Sequence, residues 1–439
     1  MRYYLDPFGC AKNQVDAENM MARLNSAGWS AVTDAEKADI IIVNSCGFIE
    51  SAKQESINAV IGWRRLYTDK KILLSGCLAQ RYAKELTESL SEADGFFGID
   101  DISKIVDAVN SLGIVPPLPK AVIPPPTSSR PLMSMPGSAY VKISEGCDNR
   151  CAFCAIPLIR GPLRCRNVQD IVDECSGLLA RGIRELCIIG QDIGSYRSSG
   201  AALPELLNAI AGLPGSFWVR LLYIHPDHFP LPILDIIERD PRFLPYFDIP
   251  FQHSSQEILA AMNRHSTAKN YITLVDTIRN RLPRAVIRST FLVGFPGETD
   301  ADFVSLLDFQ EKIRPDWLGC FTYSREEGTP AYMMNGRVPK KIAAARKKEI
   351  ENRQTKITET NMDRFVGQNL DVLLEERFPA GADAEGEELW LGRLYCHAPD
   401  VDGVAVVAGE SPKFKAGAII PCNVTACHGF DLEVKPLFQ

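Results

Sequence analysis

The chain has 439 residues, 46% of them hydrophobic and 23% charged, with a formal net charge of −7. That length predicts about two to four domains, each large enough to bury a core. No stretch approaches the roughly 18–20 apolar residues of a membrane span, and the N-terminus MRYYLDPFGC lacks a run of signal-peptide length, so a cytoplasmic protein is expected.

Residues 1–112 alternate short apolar runs, predicted as strands at 2–5, 40–43, 72–74 and 95–97, with amphipathic stretches predicted as helices at 15–27, 51–66, 79–90 and 101–111. This is the pattern of an α/β domain with a doubly wound parallel sheet. Residues 113–138 carry eight prolines, among them Pro124, Pro125 and Pro126, and read as an extended, semi-rigid linker. From 139 to 335 the alternation resumes, with strands expected at 140–143, 185–189, 218–222, 247–250, 286–293 and 319–323. Six strand–helix units in sequence fit a partial (β/α)6 barrel. A connector at 336–366 contains a charged helix, about 339–365, with eight basic and four acidic residues. The last section, 367–439, has no helical period. Its short runs at 372–374, 389–395, 404–407, 418–424 and 432–434 predict a small all-β barrel of the OB type.

Charge is distributed unevenly. From Val366 onward there are 12 acidic and 5 basic residues, whereas the rest of the chain holds 43 of each sign. The excess negative charge therefore belongs to the C-terminal section. Phosphate backbones are bound through Lys and Arg, so this section disfavours a nucleic acid and suits a basic protein. The same acids could simply keep a surface soluble, and the basic residues of the connector helix leave a nucleic-acid contact open.

Thirteen cysteines, an odd number without a secretion signal, point away from a disulfide framework and toward metal or redox chemistry. Seven of them (Cys165, Cys175, Cys187, Cys320, Cys396, Cys422 and Cys427) have no metal-ligand context and read as small buried apolar residues. The strongest local signal is EGCDNRCAFCAIP at 145–157, where Cys147, Cys151 and Cys154 lie within eight residues just after a predicted strand. Three thiolates so spaced can hold one face of a cubane cluster and leave one iron open for a substrate. Bacterial ferredoxins use a CxxCxxC run with a distant fourth cysteine. A zinc site, the competing reading, wants four ligands in pairs and finds no fourth nearby. The spacing, with Phe153 directly before the last cysteine, resembles the radical S-adenosylmethionine (SAM) signature. In that setting the groups that follow later strands become candidates to contact SAM or substrate: Gln191 and Asp192, Gln252 and His253, and Gly294 with the loop to 298. For each polar one, an ordinary loop hydrogen bond is the alternative.

A second set is dispersed: Cys10 in FGCAKNQVDAE, Cys46 in IIIVNSCGF and Cys77 in ILLSGCL. Each directly follows an apolar strand, and in an open parallel sheet the carboxyl ends of strands lie side by side where ligands bind. The three could hold a second cluster, or be three buried thiols.

The order Cys10, Cys46, Cys77, then the Cys147–Cys151–Cys154 triplet, then a small β domain resembles the radical SAM methylthiotransferases along essentially the whole chain. The segments at 9–18, 43–57, 143–161 and 398–407 look like the ribosomal-protein branch, RimO. The tRNA branch typically has a Gln-Met-Asn run after the first cysteine. Cys165 and the Ile193–Gly194 pair depart from the usual pattern but touch no proposed ligand. The resemblance implies an N-terminal domain with an auxiliary 4Fe–4S cluster on Cys10, Cys46 and Cys77, a radical SAM barrel with the first 4Fe–4S cluster on Cys147, Cys151 and Cys154, and a TRAM domain. It further implies that sulfur carried by the auxiliary cluster is methylated by one SAM. A radical from a second SAM then abstracts hydrogen from the β-carbon of an aspartate in small-subunit ribosomal protein S-twelve, free or in the assembling subunit. An electron donor such as flavodoxin or ferredoxin and a sulfur donor are implied as partners, and nothing asks for more than a monomer. A tRNA adenosine methylthiotransferase and a non-catalytic iron–sulfur carrier are the competing readings.

Overall fold

The computed structural model describes residues 1–113, 129–378, 389–409 and 414–437. The proline-rich segment expected as a linker therefore lies largely outside the described residues. The chain forms two compact units. The first comprises Met1–Met133, Ser144–Cys165 and Ser324–Tyr332, and the second comprises Ser134–Ile143, Arg166–Tyr323 and Met333–Gln439. Among the described residues no helix is long and apolar enough to cross a membrane.

In the first unit, β1 (Arg2–Pro7), β2 (Ser30–Ala31), β3 (Ile40–Ser45), β4 (Lys71–Gly76) and β5 (Gly95–Phe97) form one parallel sheet in the order β2-β1-β3-β4-β5. The helices are α1 (Ala11–Ser26), α2 (Glu50–Leu66), α3 (Cys77–Arg81), α4 (Ala83–Ser89) and α5 (Ile105–Asn110). Every residue of β3 is buried, as a central parallel strand covered on both faces requires. Ile40 and Ile42 pack with α1 and α5, whereas Ile41 and Val43 pack with α2, α3 and α4. The period of two along the strand thus distributes its side chains to two cores, and the doubly wound sheet read from the sequence is the one observed.

Two details differ from expectation. The helix expected at 79–90 is broken at Tyr82, whose φ of −128° and ψ of 31° leave the helical region. The cations of Lys53 and Arg81 stand over its ring, at 5.3 and 4.9 Å. The first of the two pieces begins at Cys77 itself, immediately after β4. The two-residue edge strand β2 carries no periodic signal and was not expected.

In the second unit, Ser138–Lys142, Glu185–Ile189, Trp218–Leu221, Phe243–Asp248, Val286–Val293 and Trp317–Thr322 form a six-stranded parallel sheet ordered as in the chain, with helices in the crossovers. This is the partial barrel. The fourth strand starts four residues before the expected 247–250. Pairing with the third strand jumps from Val219–Phe243 to Leu221–Phe247, a bulge that contains Pro245. Proline lacks a ladder donor, and it hid the strand from the sequence pattern. Helix caps are well defined here: Thr299 and Asp302 form a capping box at the start of Asp300–Ile313. After the connector helix Lys340–Asp363, five strands (Asn369–Phe378, Leu389–Arg393, Ala405–Ala408, Ile419–His428 and Asp431–Pro436) close into the expected small barrel.

Polar contacts, most of them half-buried, join this barrel to the parallel sheet. Asp402 accepts hydrogen bonds from Tyr246 Oη at 2.6 Å, Arg288 Nη1 at 2.5 Å and the Ala398 amide at 2.8 Å. Tyr140 donates to Asp400 at 3.1 Å. Glu185, at the start of the second strand, is held by Arg220 and Arg393.

Candidate functional site

Cys10, Cys46 and Cys77 stand at the carboxyl ends of the adjacent strands β1, β3 and β4. Cys10 is the N-cap of α1. The loops that carry them are pressed together. A Cβ on Gly9 would lie 3.2 Å from Cys46 Cβ, one on Gly47 would lie 2.6 Å from the Cys77 carbonyl oxygen, and one on Gly76 would lie 2.5 Å from the Ser45 carbonyl oxygen. Glycine at these points lets the three backbones approach. The expected convergence is present: Cys77 lies in the electrostatic field of both Cys10 and Cys46.

Asn13, one helical turn into α1, ties the site together. Its Nδ2 donates to the Ser45 carbonyl at 2.8 Å and the Phe8 carbonyl at 3.2 Å. Its Oδ1 accepts from Cys77 Sγ at 3.0 Å and from Arg160 Nη2 at 2.6 Å. Arg160 also donates from Nη2 to Cys77 Sγ at 3.1 Å, and from Nη1 to Asp16 at 2.9 Å and Glu145 at 2.8 Å. Both Asn13 and Arg160 are buried.

Burial pushes the Cys77 thiol up to about 12, against the pull of Arg160, and burial also raises Cys46. At Cys10 desolvation is outweighed by the charges of Lys12 and Arg160 and by the amides of Asn13 and Lys12, and the thiol is held below its ordinary value. Among the described residues no three His, Cys, Asp or Glu side chains are arranged to hold a single metal ion. A cluster places each ligand sulfur on a different iron and spaces them more widely, so the three-thiol donor set with a neighbouring cation fits such a group.

The CxxxCxxC loop belongs to the same unit. It is bounded by the two-residue strands Ser144–Glu145 and Arg164–Cys165, which pair antiparallel. Its turn is tight: the Cys147 amide donates to the Gly161 carbonyl at 3.2 Å, the Cys154 amide to the Cys151 carbonyl at 3.0 Å, and Arg150 sits at φ 51°. Cys151 is buried, while Cys147, Phe153 and Cys154 are half-buried. The helix Ile156–Arg160 that follows packs Ala155 and Ile159 against Cys77 and delivers Arg160 to the first triplet. The segment Ser324–Tyr332 completes this unit. Glu326 pairs with Arg81 at 2.7 Å and Lys53 at 3.1 Å, Arg81 donates to the Gly47 carbonyl at 3.0 Å, and the Ala331 amide donates to the Ala152 carbonyl at 2.9 Å.

In the second unit the other candidates follow the carboxyl ends of their strands. Gln191 is half-buried. Asp192 is buried and organises its own loop, accepting from the amides of Gly194 and His225, both at 3.0 Å, and from Ser195 Oγ at 2.6 Å. Gln252, at φ 69°, bonds through its backbone to Thr290 and Leu292 of the fifth strand. His253 is fully buried, its Nδ1 accepts from the Ser255 amide at 3.0 Å, and burial lowers it to about 4. The amides of Gly294 and Phe295 both donate to Glu298, which Arg346 holds at 2.9 Å.

Sequence reasoning gave no role to Asn13, Arg160 or Glu326. Asn13 left a signal, since three residues beyond an N-cap returns a side chain to the same end of the helix. Arg160 and Glu326 left none, being remote in sequence from the thiols they serve. The acidic excess is also less free than its count suggests. Glu375 pairs with Arg393, Asp400 and Asp402 bind the parallel sheet, and Asp431 caps the Val404 amide. Asp371 and Glu376 stay exposed, and Asp383, Glu385, Glu387, Glu388 and Glu410 lie outside the described residues.

Three family profiles match in succession: "Uncharacterized protein family UPF0004" at residues 2–98, the radical SAM superfamily at 141–309 and the TRAM domain at 366–436. Among solved structures, the radical SAM methyltransferase TsrM from Kitasatospora setae superposes with a TM-score of 0.56 at 17% identity, over 75% of this chain and 76% of its own. The cobalamin-dependent SAM radical enzyme OxsB superposes with a TM-score of 0.51 at 12% identity, over 81% of this chain and 57% of its own. At those identities the likeness is one of fold. Curated relatives are much nearer in sequence. The ribosomal protein uS12 methylthiotransferase RimO of Treponema denticola is 45% identical over 98% of this chain and 99% of its own length. That of Thermosipho africanus is 38% identical over 99% of each. With a two-faced parallel sheet, a radical SAM domain and a closed TRAM barrel in this order, the chain belongs to the RimO family of radical SAM methylthiotransferases.

Proposed function

We propose that this enzyme inserts a methylthio group at the β-carbon of an aspartate of ribosomal protein uS12, using two 4Fe–4S clusters and SAM. The observation that carries the reading is the convergence of Cys10, Cys46 and Cys77 at one end of a parallel sheet, in the same compact unit as the CxxxCxxC loop. Generating a radical requires only the second triplet, so the first supports a sulfur-carrying role.

When bound, the clusters and SAM supply the radical and the methylthio group. The chain's own residues bind and orient. Cys147, Cys151 and Cys154 offer three thiolates from one tight loop and leave one coordination position for SAM. Cys10, Cys46 and Cys77 would hold the auxiliary cluster from three separate loops and leave a position for the sulfur to be transferred, with Asn13 tying those loops together. Phe153, Gln191, Asp192, Gln252, His253 and Gly294 are proposed to border SAM or substrate, with Asp192 and Glu298 shaping loops. An unactivated C–H bond has no acidic proton for a general base to take.

The substrate follows from the relatives' names and from the lack of a basic C-terminal section. An electron donor such as flavodoxin or ferredoxin, a separate sulfur donor, a monomeric state and a cytoplasmic location complete the proposal. Mass spectrometry on uS12 and on tRNA nucleosides from a deletion strain tests it. The expected result is loss of the methylthio group from the uS12 aspartate with tRNA unchanged. The reverse pattern would assign the chain to tRNA. Anaerobic reconstitution should yield about eight irons per chain, and about four after Cys147, Cys151 and Cys154 are all replaced by Ala. A wild-type count near four would remove the auxiliary cluster.

A further inference from the structure

The guanidinium of Arg160 is buried and makes four contacts at once: Asp16, Glu145, Asn13 Oδ1 and Cys77 Sγ, all between 2.6 and 3.1 Å. Two of these define its place. Cys77 is a proposed ligand of the auxiliary cluster, and Glu145 stands two residues before Cys147, a proposed ligand of the other cluster. The helix that carries Arg160 starts two residues after Cys154 and packs on Cys77 through Ala155 and Ile159.

We propose that Arg160 is the residue that sets the reduction potential of the auxiliary cluster and keeps the CxxxCxxC loop in register with it. The inference rests on the assignment of Cys10, Cys46 and Cys77 as cluster ligands. A cluster that gains an electron gains negative charge, and a fixed cation donating an N–H bond to a ligand sulfur favours that reduced state. The guanidinium fork matters as well as the charge. It meets Asp16 and Glu145 from one nitrogen while the other faces Asn13 and the sulfur, an arrangement no single ammonium reproduces. Asp16 and Glu145 both offset the charge, so the direct bond to sulfur is the component that distinguishes Arg160 from any nearby cation. Lys12 also lies in the field of Cys10, and the test must separate the two.

The experiment uses the reconstituted full-length chain carrying Ala at Cys147, Cys151 and Cys154, so that only the auxiliary cluster remains. Redox titration followed by electron paramagnetic resonance gives its midpoint. Arg160→Met should move the midpoint to more negative potential, Arg160→Lys should move it in the same direction by less, and Lys12→Met should leave it nearer the parent. An unchanged midpoint in a fully loaded Arg160→Met chain overturns the proposal. Because removal of Arg160 takes a cation away from the buried carboxylate of Asp16, the Met variant can fail to fold. Two measurements then decide. One is Arg160→Lys, read by the same criterion. The other needs no substitution at Arg160: with arginine labelled by 15N in the guanidinium, pulsed resonance should detect a nitrogen coupled to the reduced cluster, and its absence overturns the direct contact. If the triple-Ala chain holds no iron at all, the ligand assignment has failed, which is a different result from an unmoved midpoint.

Discussion

Glu185 and Arg393, 208 residues apart, meet at 2.5 Å with both side chains shut away from water. Glu185 begins a strand of the parallel sheet and Arg393 ends a strand of the small barrel, so this pair, with Arg220 at 2.8 Å, fastens one to the other. Desolvation alone would raise the Glu185 carboxyl, yet the charges of Arg393 and Arg220 hold it down at about 2. A buried pair contributes little beyond apolar groups of the same shape, but removing one member strands the other. Glu185→Gln should therefore destabilise the second unit by about 3–5 kcal/mol. Urea unfolding of the metal-free protein measures this. A loss below about 1 kcal/mol would show that Glu375, which already pairs with Arg393 at 2.8 Å, compensates the cation by itself.

His397 supplies a pH dependence of different origin. It is fully buried, neither ring nitrogen has a hydrogen-bond partner among the described residues, and desolvation lowers it to about 3. The unfolded chain takes up this proton below about pH 6.5, whereas the folded chain refuses it until about pH 3. Stability is therefore full above about 6.5 and is lost as pH falls, by about 1.4 kcal/mol per unit and about 2 kcal/mol at pH 5. The ring lies edge-on to Trp317 at 5.8 Å, a place a phenyl ring can take. His397→Phe should flatten the slope between pH 6.5 and 5 by its share while matching the parent near pH 8. Thermal melts of the metal-free protein across that range read it, and an unchanged slope would mean that His397 is protonated in the fold.

Gly76 offers a test of the thiol site by backbone geometry alone. Its φ is 97°, and an added Cβ would stand 2.5 Å from the Ser45 carbonyl oxygen, on the strand that leads to Cys46. Gly76→Ala should cost about 1–3 kcal/mol from the left-handed conformation and should also drive Cys77 away from Cys46, lowering iron from about eight to about four per chain. Gly182 is the control. Its φ is 93°, but nothing lies within 4 Å of its added Cβ, so Gly182→Ala should lose stability and keep its iron.

Glu326 links the segment after the last parallel strand to the thiol loops, through Arg81 and Lys53. Glu326→Gln keeps the shape and removes the charge. Arg81 then loses its strongest anchor while still reaching for Gly47. Hydrogen exchange should quicken at 46–48 and 324–332 and stay unchanged in the small barrel. Equal protection in both proteins would show that packing alone holds the segment.

Much of this was legible beforehand for a plain physical reason: apolar period reports burial, and burial decides elements. The four residues 40–43 announced a central strand because every one of them faces a core. All five strands of the small barrel were found because turn residues separate them. Pro245 concealed the start of one strand, since a bulge breaks the period, and the helix expected at 79–90 breaks at Tyr82, whose ring also meets the cation of Lys53 from another helix, a contact that local pattern does not contain. The six candidate thiols stood out because cysteine spacing is itself chemistry. Their surroundings were not, because Arg160 and Glu326 reach the site through tertiary folding and carry no periodic mark.

The first unit is gathered from three stretches that end at residue 332. Its consequence lies in the order of synthesis. Domains fold largely as they leave the ribosome, amino-terminal parts first, and the parallel sheet bearing Cys10, Cys46 and Cys77 has emerged early. Yet Arg160 arrives with the second stretch and Glu326 only after about three quarters of the chain has been made. Until then the oxidisable thiols of the first triplet lack the loop contacts that Glu326 makes through Arg81. If these thiols take up iron as proposed, loading is deferred to a nearly finished polypeptide, and a chain released before residue 326 lacks the contacts of Glu326 with Arg81 and Lys53.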